Sequence, residues 1–408
     1  MGILLLLDIF SFLLGSIILV YQVFCIIVGL FGKPIIFPEC APKHYAVLIA
    51  ARNEENVIAE LINSIKAQKY DEKHLDILVC ADNCTDKTAE VARKHGAKVV
   101  ERFNKHEVGK GYALSYLFDN TDNLDQYDAF FVFDADNVLD ENYITEMNKV
   151  FSAGFEVVTS YRNSKNLGSN WVSSGSAIWF ARESSQINFT RMKIGGSCQV
   201  GGTGFMFSKR IMQRNKGWKH HLLTEDIEFS MDCVLNGDKI GYCGSAIYYD
   251  EQPVLFSTSW QQRLRWAKGM MQVFREYGSS LVKHAVRSGE LSALDLMMFT
   301  FPWAAVYLFR LFIGMLFALW GLVSFYSQAM QLISMLTTAL LSIFALMVLA
   351  GITVLSQRSK MRATNKQLLS YVISFPIYVG SYMLISMLAI FSKVEWEPIP
   401  HGDKAHLG

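Results

Sequence analysis

The sequence predicts an α/β fold, a parallel sheet covered by helices, with apolar helices before and after it. Three observations carry this. Residues 44–135 alternate short β-branched and aromatic runs with helical patterns. Polar clusters stand at the carboxyl ends of three of those runs. The apolar residues, 51% of the 408-residue chain, concentrate near its two ends.

The predicted strands are YAVLIA (45–50), LDILVC (75–80), AKVV (97–100) and DAFFVF (128–133), with helices near 54–68, 86–95 and 110–119 between them. Continuous apolar strands joined by crossover helices indicate a parallel sheet buried on both faces. Such sheets bind ligands beyond the carboxyl ends of their strands. There the chain carries Arg52-Asn53-Glu54-Glu55, Asp82-Asn83 and Asp134-Ala135-Asp136.

Each cluster also has a purely local reading. Asn53 is a possible helix cap, with Glu54 and Glu55 complementing the dipole. DNCTDKT (82–88) reads as an Asx turn followed by a cap. Asp134 and Asp136 leave an apolar strand two residues apart, so both can point into one cleft. Hard oxygen ligands of this kind suit Mg²⁺ or Mn²⁺, shared with a substrate diphosphate. Val108-Gly109-Lys110-Gly111 is not a Walker loop; it reads equally as a segment that places Lys110 near an anion or as a flexible surface turn. No GxGxxG follows the first strand, which disfavours a dinucleotide oxidoreductase. GGSCQVGGTGFMF (195–207), including Gly202 and Thr203, reads equally as a close backbone approach, for example to a bound sugar, or as a plain loop.

Thr224-Glu225-Asp226 opens an amphipathic helix ended by Gly237, with Thr224 as the expected cap. Residues 258–278 interleave Arg and Lys with Trp, Leu, Met and Phe, the pattern of a helix at a membrane interface. Gln262, Arg265 and Trp266 can still face a cleft from it.

Lys+Arg 38 against Asp+Glu 37 leaves a net charge of +1, without the basic excess of a nucleic-acid binder. The 7 cysteines form no CxxC pair, which argues for free thiols. Apolar stretches at 3–32, 297–323, 331–355 and 368–391 are long enough to span a bilayer. The loop between the last two carries Arg358, Lys360, Arg362 and Lys366 and no acid, so it is assigned to the cytoplasm. Residues 33–292 are then cytoplasmic, and both termini fall outside. Arg310, inside a predicted span, is expected to snorkel, to pair with Asp295 or to contact a passing polar molecule. The resulting layout is a first span (1–32), a catalytic domain (44–252), interfacial helices (253–292), C-terminal spans (293–392) and a tail (393–408).

Taken in order, Asp82, Asp134/Asp136, Thr224-Glu225-Asp226 and Gln262-Arg263-Leu264-Arg265-Trp266 resemble the D, DxD, TED, QxxRW signature of membrane-integrated family 2 glycosyltransferases, the group of cellulose, chitin, hyaluronan and poly-N-acetylglucosamine synthases. The resemblance implies a GT-A fold that uses a UDP-sugar. It implies that Asp82 contacts the uracil and that Asp134 and Asp136 serve the nucleotide and a Mg²⁺ or Mn²⁺ ion. It makes Asp226 the general base with Glu225 beside it, gives Gln262 and Arg265 the diphosphate, and stacks Trp266 on the acceptor. By looser alignment Ala51, Arg52, Glu54 and Lys110 line the nucleotide pocket, and Gly202 and Thr203 approach the sugar. The implied product is a β-linked polysaccharide made at the cell membrane by a multi-pass protein. Ceramide glucosyltransferases are similar in signature, so the alternative acceptor is a membrane lipid.

Overall fold

The computed structural model describes residues 2–306 and 325–398, together with 308, 309, 312 and 315. The first helix, α1 (Gly2–Phe31), leads into the domain. Strand β1 (Tyr45–Ala51) pairs in parallel with β2 (Leu75–Asp82) and with β4 (Ala129–Asp134). Strand β3 (Lys98–Arg102) extends this half beside β2. The register sets Ala50 opposite Asp134 and Ala51 opposite Ala81. Ala51, Asp82 and Asp134 therefore share one edge of the sheet.

The expected strands are thus present, each within a residue or two of its predicted bounds. Their side chains are buried from Tyr45 to Ile49 and from Ala129 to Phe133. They share one core with Ile58, Leu61, Ile62 and Ile65 of α2 (Ile58–Lys66) and Ala113, Leu114, Leu117 and Phe118 of α4 (Lys110–Asp119). Between β2 and β3 lies α3 (Thr88–Lys94).

After β4 the sheet turns mixed. Strands β5 (Val138–Leu139), β6 (Val157–Ser164), β7 (Phe205–Ser208) and β8 (Ile240–Asp250) complete the order β3-β2-β1-β4-β7-β6-β8-β5 among the described residues. Gly204 enters β7 at φ 66°, and a Cβ there would stand 2.1 Å from the Tyr248 ring. Only glycine combines that backbone with that contact.

Four further helices border the cleft. Helix α6 (Trp171–Arg182) runs through a π-helical turn at Glu183–Asn188 into α7 (Phe189–Lys193). Helix α9 spans Glu225–Leu235 and is followed by Gly237 at φ 77°, as expected. The aromatic-basic segment forms α10 (Phe256–Ser288), 33 residues long. Helix α5 (Tyr143–Ser152) and helix α8 (Lys209–Asn215) lie away from it.

Two local expectations are corrected. Asn53 does not cap α2; it takes a left-handed conformation (φ 59°), and its side chain accepts from Thr85 N at 2.8 Å, tying two sheet-edge loops together. Thr224 occupies the cap position of α9 but makes no capping bond, and its Oγ1 is buried without a partner among the described residues. Helix α10 presses on it: a Cβ at Gly269 would lie 2.5 Å from Thr224 Cγ2.

The C-terminal part contains α11 (Leu291–Thr300), α12 (Phe325–Ser356) and α13 (Asn365–Phe391). By length and composition, two stretches among the described residues can cross a membrane, Ala339–Ser356 and Asn365–Phe391. Most of the expected span 297–323, with Arg310, lies outside the described residues. Asp295 is held by Arg191 and Tyr21.

The expected outside position of the tail is overturned. Gln367 and Tyr371, at the start of α13, donate to Gly168 O at 3.2 and 2.8 Å. Ala389, at its other end, accepts from Lys268 Nζ at 3.0 Å. One end of α13 thus rests on the α/β domain and the other on α10, and Trp396 beyond it enters the cleft. The tail and the α/β domain therefore share one side, which a count of spans that changes sides at every apolar helix does not allow.

Candidate active site

The sheet edge, α9, α10 and the C-terminal tail enclose one cavity of about 620 Å³. Ala51, Arg52, Glu54, Asp82, Lys110, Asp134, Asp136, Gly202, Glu225, Asp226, Gln262, Arg265 and Trp266 all line it. Thr203 does not. Its buried hydroxyl accepts from Asp134 N at 2.8 Å, so it fixes the backbone that carries the first acid of the pair.

At the β1–β2 end, Asp82 is buried and accepts from Arg102 Nη1 at 2.8 Å and from Asn83 Nδ2 at 3.0 Å. Lys110 rises from the first turn of α4, forms an ion pair with Asp134 and donates to Gly202 O at 2.8 Å. Enclosure works against the charged amine, but Asp134 and Glu225 outweigh it and hold Lys110 above its ordinary value. Asp136 is buried, bonded to Asn137 Nδ2 at 3.2 Å and Glu251 N at 3.3 Å.

Glu225 and Asp226 enter at the N-terminus of α9. Asp226 Oδ2 lies 3.9 Å from where a Cβ would stand on Gly202. Enclosure, and then the neighbouring charge of Asp226, push the Glu225 carboxyl up to about 8. Enclosure raises Asp226 as well, against the opposing pull of backbone N–H groups and Lys110. The acid pair is therefore under-compensated by the cations around it, an arrangement typical of functional sites.

Two guanidiniums face this acidic centre with donors to spare. Arg52 Nη1 and Arg265 Nε are buried without hydrogen-bond partners among the described residues. Both guanidiniums lie on the Trp396 ring, at 5.4 and 5.7 Å from its centroid. Buried, unpaired cationic donors are costly, and an anion between them would remove that cost. Arg263, two residues before Arg265, also lines the cavity but is engaged on α13, donating to Tyr378 O at 2.9 Å and Ser381 Oγ at 2.8 Å. Arg162 is likewise spent on Asp250, at 2.8 Å.

The donor set suits a hard divalent cation in one form only. No group of three or more His, Cys, Asp or Glu could by itself hold a metal among the described residues. Asp134 and Asp136 supply two carboxylates, and Mg²⁺ in particular is commonly held by one or two carboxylates with phosphate oxygens and water. The residues fit an ion that arrives with a diphosphate.

Sequence reasoning did not single out Trp396, Arg162, Glu183, Arg191 or Gln199, all of which line the cavity. Glu183 and Arg191 share the continuous helix through the π turn, while Arg162, Gln199 and Trp396 come from three other segments, and no motif links the five.

The comparisons with known proteins agree with this geometry. A family profile described as "Glycosyltransferase like family 2" matches residues 42–269. A β-monoglucosyldiacylglycerol synthase of Nostoc sp. (strain PCC 7120) is 25% identical over 298 residues, covering 67% of this chain and 60% of that protein. A poly-β-1,6-N-acetyl-D-glucosamine synthase of Staphylococcus epidermidis is 24% identical over 248 residues, covering 57% of this chain and 56% of that protein. The chain thus spans about 60% or less of the length of these curated relatives. The mannosyltransferase PcManGT of Pyrobaculum calidifontis, solved with GDP-Man and Mn²⁺, shares the fold: TM-score 0.55 at 13% identity, over 95% of this chain and 97% of that one. With its signature acids and Arg-Trp helix gathered around one cavity beside a mixed sheet, the chain belongs to glycosyltransferase family 2 and has the GT-A-like α/β fold.

Proposed function

We propose that the protein is an inverting glycosyltransferase that moves a hexose or N-acetylhexosamine from a UDP-sugar to an acceptor hydroxyl at a membrane. The observation that carries this is the convergence of Asp82, Asp134, Asp136, Asp226, Arg265 and Trp266 on one cavity. In this reading Asp82 contacts the uracil. Arg52, Lys110, Gln262 and Arg265 hold the diphosphate, and Trp266 faces the acceptor.

Asp226 takes the acceptor proton as the hydroxyl oxygen forms its bond to the anomeric carbon. The bond from that carbon to the diphosphate oxygen breaks, and UDP leaves with the electron pair. Arg52, Lys110 and Arg265 are aimed where that negative charge develops. One displacement inverts the centre, so an α-linked donor yields a β-linkage. A Mg²⁺ or Mn²⁺ ion on Asp134 and Asp136 would neutralise charge on the leaving diphosphate.

The relatives support two acceptors, a growing polysaccharide and a lipid. In this reading the exposed apolar side chains of α12 and α13, such as Leu340, Leu341, Leu369 and Ile373, meet the bilayer, with the catalytic domain on the cytoplasmic side. The test is UDP release from a panel of UDP-sugars, with GDP-mannose as control. Turnover of a UDP-sugar is expected. Turnover of GDP-mannose alone, or of neither, would overturn the donor assignment.

A further inference from the structure

Asp134 and Asp136 line the cavity, and both are tied to a residue that does not line it, Asn137. Asn137 is wholly buried. Its backbone N–H donates to Asp134 O at 3.1 Å, which closes residues 134–137 into a hydrogen-bonded turn. Its side chain then takes four partners. Oδ1 accepts from Asp134 N at 3.3 Å and from the Thr203 hydroxyl. Nδ2 donates to Asp136 Oδ1 at 3.2 Å and to Asp250 Oδ1 at 3.0 Å.

The chemistry of these partners allows one orientation of the amide. An amide oxygen accepts two hydrogen bonds and its nitrogen donates two. A backbone N–H can only donate, and ionised carboxylates can only accept. Turned over, the amide would aim its oxygen at both carboxylates and its nitrogen at Asp134 N–H. Thr203 is committed in the same sense, because its oxygen accepts from Asp134 N at 2.8 Å and its proton goes to Asn137. A buried amide with all its positions filled holds its neighbours rigidly.

The amide also separates two charges. Asp136 and Asp250 are both buried, and both reach the same nitrogen. Like charges at such a distance oppose each other's ionisation. Asn137 stands between them with a proton for each. On its far side Asp250 accepts from Arg162 Nε at 2.8 Å and from Gln252 Nε2 at 2.7 Å. Its charge is thus compensated away from Asp136.

We infer, on the reading of Asp134 and Asp136 as metal ligands, that Asn137 is their positioning residue. It holds the backbone of the first aspartate and the carboxylate of the second in place for a divalent cation that arrives with a diphosphate. Groups bonded directly behind metal ligands typically set about 10- to 100-fold in metal affinity.

The test uses the full chain in lipid nanodiscs. Mn²⁺ is titrated into the UDP complex and followed by loss of the free-ion electron paramagnetic resonance signal. UDP binding in EDTA is measured separately by calorimetry. Asn137→Leu keeps the volume and removes all four side-chain bonds, so Mn²⁺ affinity should fall about 10- to 100-fold. Thr203→Val leaves the bonds to both carboxylates, and its loss should be about tenfold, the lower end of that range. In EDTA both variants should bind UDP as the wild type does. Should Asn137→Leu fail to fold, Thr203→Val decides alone. Unchanged Mn²⁺ affinity would overturn the proposal. So would a parallel loss of UDP affinity in EDTA, which would make Asn137 a general tie of the sheet edge. A wild-type protein whose UDP complex takes up no Mn²⁺ would instead remove the metal role of Asp134 and Asp136, and the proposal with it.

Discussion

Lys110 and Asp134 form an ion pair on the cavity floor, and the same amine donates to the Gly202 carbonyl at 2.8 Å. One cation thereby joins the end of β4 to the glycine-rich segment beside Asp226. Lys110→Met leaves Asp134 uncompensated and removes a donor aimed at the leaving diphosphate. We expect kcat/KM to fall about 100-fold, the scale of one lost electrostatic contact to a transition state. Steady-state kinetics with the preferred UDP-sugar measures it, and an unchanged value would place Lys110 outside the reaction.

Asp226→Asn removes the proton acceptor and keeps the side-chain volume. Transfer should fall by about 10² to 10⁴, while UDP binding, followed by calorimetry, stays near the wild-type value. Full activity in this variant would end the assignment of the base.

The raised Glu225 carboxyl makes a signed prediction. Its ordinary value is 4.5, and in the folded protein it is pushed up to about 8. Across that window the native state binds more protons than the unfolded chain, so stability falls as pH rises. The contribution is complete below about 4.5 and is lost as pH passes through about 8. Tm measured by calorimetry from pH 5 to 8.5 should decline, and Glu225→Gln should flatten the decline. Equal slopes in the two proteins would contradict it.

Chelation gives a separate test. With only Asp134 and Asp136 offered as protein ligands, EDTA should stop turnover, and Mg²⁺ or Mn²⁺ should restore it. Activity that persists in EDTA would remove the metal role of the two aspartates.

Gly204→Ala tests the fold at the site. A methyl group would lie 2.1 Å from the Tyr248 ring, on a backbone at φ 66°. Overpacking and backbone strain together cost about 2–4 kcal/mol. A fall in Tm of several degrees is expected, and an unchanged Tm would show that the ring moves freely.

The sheet-edge half of the cavity was legible because its acids directly follow strands buried on both faces. Continuous apolar runs located β1, β2 and β4, and the strand register then fixed Ala51, Asp82 and Asp134 on one edge. The lobe beside α6 and α7 was not legible. Glu183, Gln199 and Asp295 meet only through tertiary packing, and no periodicity marks a π turn. Thr224 failed as a cap because Gly269 lets α10 close on it, a contact far away in sequence. The tail was misplaced because hydropathy measures how apolar a helix is and carries no information on where its ends are tied.

The π turn at Glu183–Asn188 accommodates one residue more than an α-helical path would. Losing a single residue there would turn everything downstream by about 100° and swing Arg191 off Asp295. One codon's worth of helix thus decides whether α7 stays tied to α11, while the sheet edge that carries Ala51, Asp82 and Asp134 stays untouched.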